Sequence, residues 1–68
     1  MDYHDLDILK SASSTPYKYV VTGPTHISGK REQIVCTNDL NVAVLALNNT
    51  SGGVFYHRKY GPWSQMKD

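Results

Sequence analysis

The chain has 68 residues, of which 40% are hydrophobic and 19% charged, and its formal net charge at pH 7 is +1. This length allows one domain at most, and the composition is typical of a folded rather than a disordered protein. A net charge so close to zero gives no electrostatic argument for binding to nucleic acid or to a membrane surface.

The compartment is predicted from the cysteine content and from the lack of a targeting pattern. Cys36 is the only cysteine, which excludes a disulfide within the chain and favours a reducing environment. The acidic start has no apolar segment of the signal-peptide kind behind it, and the longest apolar run, 42–47, is too short to span a bilayer. We therefore expect a cytoplasmic protein with no membrane partner.

The first predicted element is a short helix over residues 2–10. Tyr3, Leu6 and Leu9 recur at intervals of three, and acidic residues precede Lys10, an order of charges that suits the helix dipole. A connector rich in serine follows.

Two strands are predicted next. Residues 17–22 have the residue types of a pleated surface, and Gly23-Pro24 is expected to end this strand or to kink it at a sheet edge. A turn over 28–31 then leads into a second strand over 33–36.

The segment 39–47 can be interpreted as a helix or as a strand, because periodicity does not separate the two in so short an apolar run. As a helix it would be capped by Asn38 and would end at Asn48 or Asn49 in the left-handed conformation. Its alanines and leucines favour the helix, which is our prediction.

This helix would be apolar on both sides. One stripe would consist of Leu40, Ala43, Val44 and Leu47, and the opposite face would consist of Val42, Leu45 and Ala46. The second face needs a cover, either the first helix or another molecule. A second copy is one such cover, so a homodimer is among the expected partners.

The last part of the chain is predicted to form a strand over 54–60 and a short fourth strand over 63–66. The order of elements predicts an α+β fold: a small antiparallel sheet of three to four strands, with a helix over about 39–47 packed on one face and a short N-terminal helix. We expect both helices to share one face of the sheet. An all-β meander or small barrel is the alternative.

The residue types used in catalysis and metal binding are scattered through the chain. His4, His26, His57 and Cys36 occur singly, without the spacing of a zinc site or of a nucleophile with its base. The glycines lack the pattern of a phosphate-binding loop. We predict no catalytic residue, no metal and no cofactor, and hence a protein that is not an enzyme.

The residues with the richest chemistry lie in and beside the strand over 54–60. Tyrosine, arginine and tryptophan are the residues that most often anchor protein interfaces, and aromatic rings with neighbouring cations can also hold single-stranded nucleic acid. The alternative is that several of these rings build the core. Exposure is expected above all for Arg58, Lys59 and Trp63. The predicted binding residues are Tyr56, Arg58, Lys59, Tyr60, Trp63 and Lys18.

The predicted layout resembles that of small proteins encoded by viruses and mobile elements, including anti-CRISPR proteins. It consists of a strand pair, an apolar helix that begins after Asn38-Asp39, and an aromatic strand after Gly52-Gly53. The resemblance is one of size and layout only, and it implies an inhibitor or adaptor of a larger host complex, acting in the host cytoplasm. A protein-binding module is the first functional hypothesis, and a nucleic-acid-binding protein that uses the basic and aromatic strand is the second.

Overall fold

The structure is a computed structural model, and it is described for residues 5–59 and 62–65. Within these residues it has two helices and a four-stranded antiparallel sheet in the order β2-β1-β3-β4. The α+β prediction is confirmed, and the all-β alternative is wrong. The elements are α1 (Leu6–Ala12), β1 (Tyr19–Pro24), β2 (Arg31–Thr37), α2 (Leu40–Asn48), β3 (Val54–His57) and β4 (Ser64–Gln65).

The sheet is covered on both faces, one by each helix. Val20 and Tyr56 pack with Leu9 of α1, whereas their chain neighbours Val21 and Phe55 pack with Ala43 of α2. Successive side chains of a strand point to opposite faces, so these two clusters lie on opposite sides of the sheet. The expectation that both helices share one face is therefore wrong.

β1 runs two residues beyond the predicted end at residue 22. Gly23 and Pro24 still pair with β2, although the pairing of β1 with β3 ends at Thr22. Proline has no backbone N–H, and it is tolerated where a strand has a neighbour on one side only. The predicted end or kink at Gly23-Pro24 is therefore wrong, and the irregularity in β1 is a shift of its register with β2 between Val21 and Thr22.

Asp39, rather than Asn38, caps helix α2. Its carboxylate accepts hydrogen bonds from the backbone N–H groups of Asn41 and Val42. The side chain of Asn38 instead accepts from the backbone N–H of Lys18, which ties this loop to the start of β1. An ionised carboxylate suits both the free N–H groups and the positive end of the helix dipole.

The helix α2 also ends differently from the prediction. Asn49 has a φ of −95°, so it is not in the left-handed region. The residue with positive φ is Gly52 at +74°, within the turn that leads to β3. Glycine adopts this conformation without steric cost, so the chain turns toward β3 at Gly52, three residues after the helix cap Asn49.

Other boundaries shift as well. The first helix is α1 at Leu6–Ala12 rather than 2–10, and β3 ends at His57 rather than at residue 60. β1 begins two residues later than predicted, β2 extends beyond the predicted 33–36 at both ends, and α2 lies one residue after the predicted 39–47. β4 lies inside the predicted 63–66. Residues 1–4, 60–61 and 66–68 lie outside the described part of the chain.

Candidate functional site

The aromatic residues predicted to form a binding strand are part of the core. Tyr56 is fully buried, and Trp63 is only 6% exposed. Successive side chains of β3 point to opposite faces of the sheet, and because a helix covers each face, the side chains on both faces are shielded from solvent. The expected exposure of Trp63 is therefore wrong, and Tyr56 does not lie on a surface. Tyr60 falls outside the described residues.

Tyr56 belongs to a buried polar cluster around Asp5, whose side chain is fully buried. The Tyr56 hydroxyl and the Thr22 hydroxyl each donate to Asp5 Oδ2 at 2.7 Å. Arg31 Nε donates to Asp5 Oδ1 at 2.8 Å and forms an ion pair with it. Both carboxylate oxygens thus have donors, as a buried charge requires.

These donors determine the charge state of Asp5. Burial raises the pKa of the carboxyl group, but hydrogen bonds from Thr22, Tyr56 and Arg31, with the charge of Arg31, more than offset this effect. The pKa of Asp5 is therefore held below its ordinary value of 3.8. The cluster links α1 to three strands of the sheet, and it has the character of a structural anchor.

Arg58 forms a second polar cluster, at the C-terminal end of α1. Its guanidinium donates to the backbone oxygens of four residues, which are Ala12, Ser13, Thr15 and Tyr17. Its Cζ atom also lies 4.3 Å from the centroid of the Trp63 ring, a cation–π arrangement. These acceptors hold the guanidinium against its own chain, so Arg58 braces the connector after α1.

The two predicted lysines are the members of the set that remain exposed. Lys18 precedes β1 and Lys59 follows β3, and the backbone N–H of Arg58 donates to the backbone oxygen of Lys18 at 3.0 Å. This bond brings the two lysines to the same end of the sheet. The structure therefore has two exposed lysines at that end of the sheet, while the rings of Tyr56 and Trp63 are buried.

A different surface, on α2, presents apolar side chains to solvent. The four residues of this α2 apolar face have exposed fractions from 40% to 63%, with Leu45 the most exposed; they are Leu40, Val42, Val44 and Leu45. No Asp, Glu, Lys or Arg occurs between residues 40 and 57. The helix thus combines exposed apolar area with a complete lack of charge.

The α2 apolar face corrects part of the sequence prediction. Ala43 is buried against the sheet, with Ala46 and Leu47 beside it, so Ala46 belongs to the packed side. Leu40 and Val44, predicted to be core, are exposed. A narrow stripe with two alanines is enough to cover the sheet at close distance, and the larger residues flank it. Val42 and Leu45 lie on the outer side as predicted.

Ile34 extends the apolar surface onto the edge strand β2. A Cβ atom at Gly23 would meet Thr50 Cγ2 and Ile34 Cγ1, so these two side chains converge over Gly23. Thr50 is joined to the end of α2, since its hydroxyl donates to the Ala46 oxygen. Ile34, itself exposed, therefore lies beside the C-terminal end of the helix.

Asp5 is the structural residue that sequence reasoning missed. The pattern placed it among the acidic residues that favour a helix N-terminus, and its role depends on partners 17, 26 and 51 positions away. No local signal marks such contacts.

The described residues contain no group of three or more His, Cys, Asp or Glu side chains arranged to hold a metal ion. No helix within 5–59 and 62–65 is long and apolar enough to cross a bilayer. Comparison of the chain with protein-family models, with curated proteins and with solved structures found no significant match.

Proposed function

We propose that this chain is a small non-enzymatic binding module, of the inhibitor or adaptor type, that contacts a protein partner through the α2 apolar face. The observation that supports this is the exposure of four aliphatic side chains on one uncharged helix. Exposed apolar residues that occur singly are ordinary on protein surfaces, whereas several on the two flanks of one short uncharged helix favour an interaction site there.

The energetic weight of this face is large for so small a protein. Complete burial of a Leu or Val side chain stabilises by about 1.5–3 kcal/mol, so the 63% of Leu45 still exposed corresponds to about 1–2 kcal/mol. The four residues together correspond to about 3–6 kcal/mol. A domain of this length has a total stability of only about 3–10 kcal/mol. A partner that covers the face would therefore gain much of its binding energy there.

The chemistry of the face favours protein over nucleic acid. Affinity for nucleic acid depends on Lys and Arg side chains that neutralise phosphates, and the face has none. Of the basic and aromatic residues considered for nucleic acid, Arg58 is bound to backbone oxygens and Tyr56 is buried. Tyr60 lies outside the described residues, and the other two members, Lys18 and Lys59, carry little positive charge for such a partner.

Photo-crosslinking in the native cells tests the proposal. A benzophenone amino acid would replace Leu45 in one variant and Ile27 in a second. Ile27 is a matched control because it is an aliphatic residue with 53% of its surface exposed, but it lies in the turn between β1 and β2. We expect a discrete protein adduct from position 45 that is absent from position 27.

Two outcomes would contradict this proposal. The same adducts from both positions would mean that the α2 apolar face is an ordinary surface. Binding of the purified chain to single-stranded nucleic acid, with an affinity that falls steeply as salt is raised, would favour the nucleic-acid alternative instead.

A further inference from the structure

We infer that residues 5–12, which we call the α1 strap, can leave the sheet as a unit while the strands and α2 stay folded. The strap consists of α1 with Asp5 ahead of it. Its release would uncover the apolar cluster of Val20, Tyr56 and Trp63, which packs against Leu9 in the closed form. This cluster lies on the opposite face of the sheet from α2, so the inference is independent of the proposed function.

The α1 strap buries little apolar area of its own. Leu9 and Ala12 are buried, whereas Leu6 is 45% exposed. A helix of seven residues is also too short to be stable in isolation. Segments with few buried apolar contacts are those that open locally at a lower free energy than the whole domain.

Polar contacts fasten the strap at its N-terminal end. Asp5 accepts hydrogen bonds from Thr22, Tyr56 and Arg31. On release water takes the place of these bonds, so opening costs much less than the bonds would contribute in a dry interior. The guanidinium of Arg31 also donates to Thr22 Oγ1 and to the Gly52 oxygen, and these two contacts do not involve the strap.

Arg58 indicates where the strap would hinge. Its guanidinium donates to the Ala12 oxygen at the end of α1 and also to the oxygens of Thr15 and Tyr17 in the connector. The two connector bonds can stay in place when the strap leaves. The hinge therefore falls at Ser13-Ser14, two exposed residues between the helix and the anchored part of the connector.

The rest of the fold has interactions of its own. β1 pairs with β2 on one side and with β3 on the other. On the opposite face, Val21 and Phe55 pack with Ala43 of α2. The sheet and α2 thus form a unit with a separate apolar cluster, which can persist while the α1 side is open.

Native-state hydrogen exchange of the Trp63 indole N–H measures this opening in the full chain. The indole donates to the Leu9 oxygen at 3.1 Å and to Ser13 Oγ at 2.9 Å, so release of the strap brings it into contact with solvent. The amides of β1, a central strand, are the comparison because they should exchange through global unfolding. Relative to intrinsic rates, we expect the indole to exchange at least about tenfold faster than these amides, with a weaker dependence on urea because opening exposes less surface.

Two variants separate opening of the strap from unfolding of the domain. Asp39→Ala removes the cap of α2, which is intact whether the strap is open or closed. It should speed exchange of the β1 amides about fivefold and leave the indole rate unchanged. Asp5→Asn weakens contacts that exist only in the closed form, so it should speed both rates by the same factor, about tenfold or more. If Asp5→Asn does not fold, Leu9→Val is the milder strap variant and should also raise both rates equally.

Two results would overturn the inference. An indole rate that rises with Asp39→Ala as much as the β1 amide rates would mean that strap and sheet unfold as one unit. An indole rate that does not respond to the strap variant would mean that Trp63 reaches solvent by its own movement rather than by release of α1. Neither result bears on the α2 apolar face, which is tested by crosslinking at position 45.

Discussion

Replacement of Tyr56 by Phe tests whether the aromatic strand serves the core or a surface. The change removes only the hydroxyl that donates to Asp5 Oδ2 at 2.7 Å, inside a fully buried cluster. Hydrogen bonds to charged groups contribute about 1.5–3 kcal/mol. We expect the free energy of unfolding to fall by this amount, out of a total of about 3–10 kcal/mol.

Equilibrium unfolding in urea at neutral pH would measure this loss, and the thermal midpoint should fall by more than about 6 °C. Tyr17→Phe is the matched control, because Tyr17 is 40% exposed. Its effect should stay within about 0.5 kcal/mol. Equal losses in the two variants would refute the structural role of the Tyr56 hydroxyl.

The same variant has a predicted signature in acid. Because the pKa of Asp5 is lowered in the folded state, its ionised form contributes stability above the ordinary value of 3.8, and this contribution is lost as the pH falls through the lower folded pKa. Without the hydrogen bond from Tyr56 the pKa of Asp5 in the folded state rises toward its ordinary value of 3.8. The variant therefore loses less free energy of unfolding than the wild type as the pH falls. The difference in unfolding free energy between the two proteins should shrink below pH 3.8. Titration of the Asp5 carboxyl carbon by NMR would report this rise directly.

Substitutions at three further sites, Arg58, Asp39 and Gly23, test other parts of the structure by urea unfolding. Arg58→Lys keeps the charge but loses the planar fork that reaches four backbone oxygens, and it should destabilise by at least about 1 kcal/mol; a neutral result would contradict the bracing role. Asp39→Ala should cost about 1 kcal/mol through loss of the α2 cap, whereas Asp39→Asn should retain most of the stability. Gly23→Ala would place Cβ at 2.6 Å from Thr50 Cγ2 and should cost about 1–3 kcal/mol. Thr50→Ser, which removes that methyl group, should recover part of this loss in the double variant, and purely additive effects would argue against the contact.

The elements of this fold are predictable from the sequence because their signals are local. The apolar segment before Asn48-Asn49, with Asp39 ahead of it, forms the helix that its alanines and leucines favour. β1 and β2 appear where residue types fit a pleated surface. The predicted ends of β1, β2, α2 and β3 differ from the observed ends by one to three residues, and α1 begins four residues after its predicted start.

The candidate site was harder to predict, because alternation along a strand shows which side chains share a face but not what covers that face. Tyr56 and Phe55 lie on opposite faces, and both are buried, since one helix packs on each side. The aromatic strand therefore looks like a binding surface in sequence and is core in structure. The helical period grouped Leu45 with Val42, and both are exposed, but it put Ala46, which packs on the sheet, in the same group, because the period does not show which side of a helix is covered.

The α1 side of the sheet joins residues that are far apart in the sequence, so the two sides of the sheet depend unequally on the C-terminal residues. Asp5 meets Tyr56 across 51 positions, and the indole of Trp63 meets the Leu9 oxygen across 54. The α2 side needs only residues between Tyr19 and Phe55. A chain cut just before Trp63 would therefore keep every residue of the α2 cluster and lose the indole from the α1 cluster, so Val20 and Leu9 would lose a buried neighbour while Val21, Ala43 and Phe55 would keep theirs.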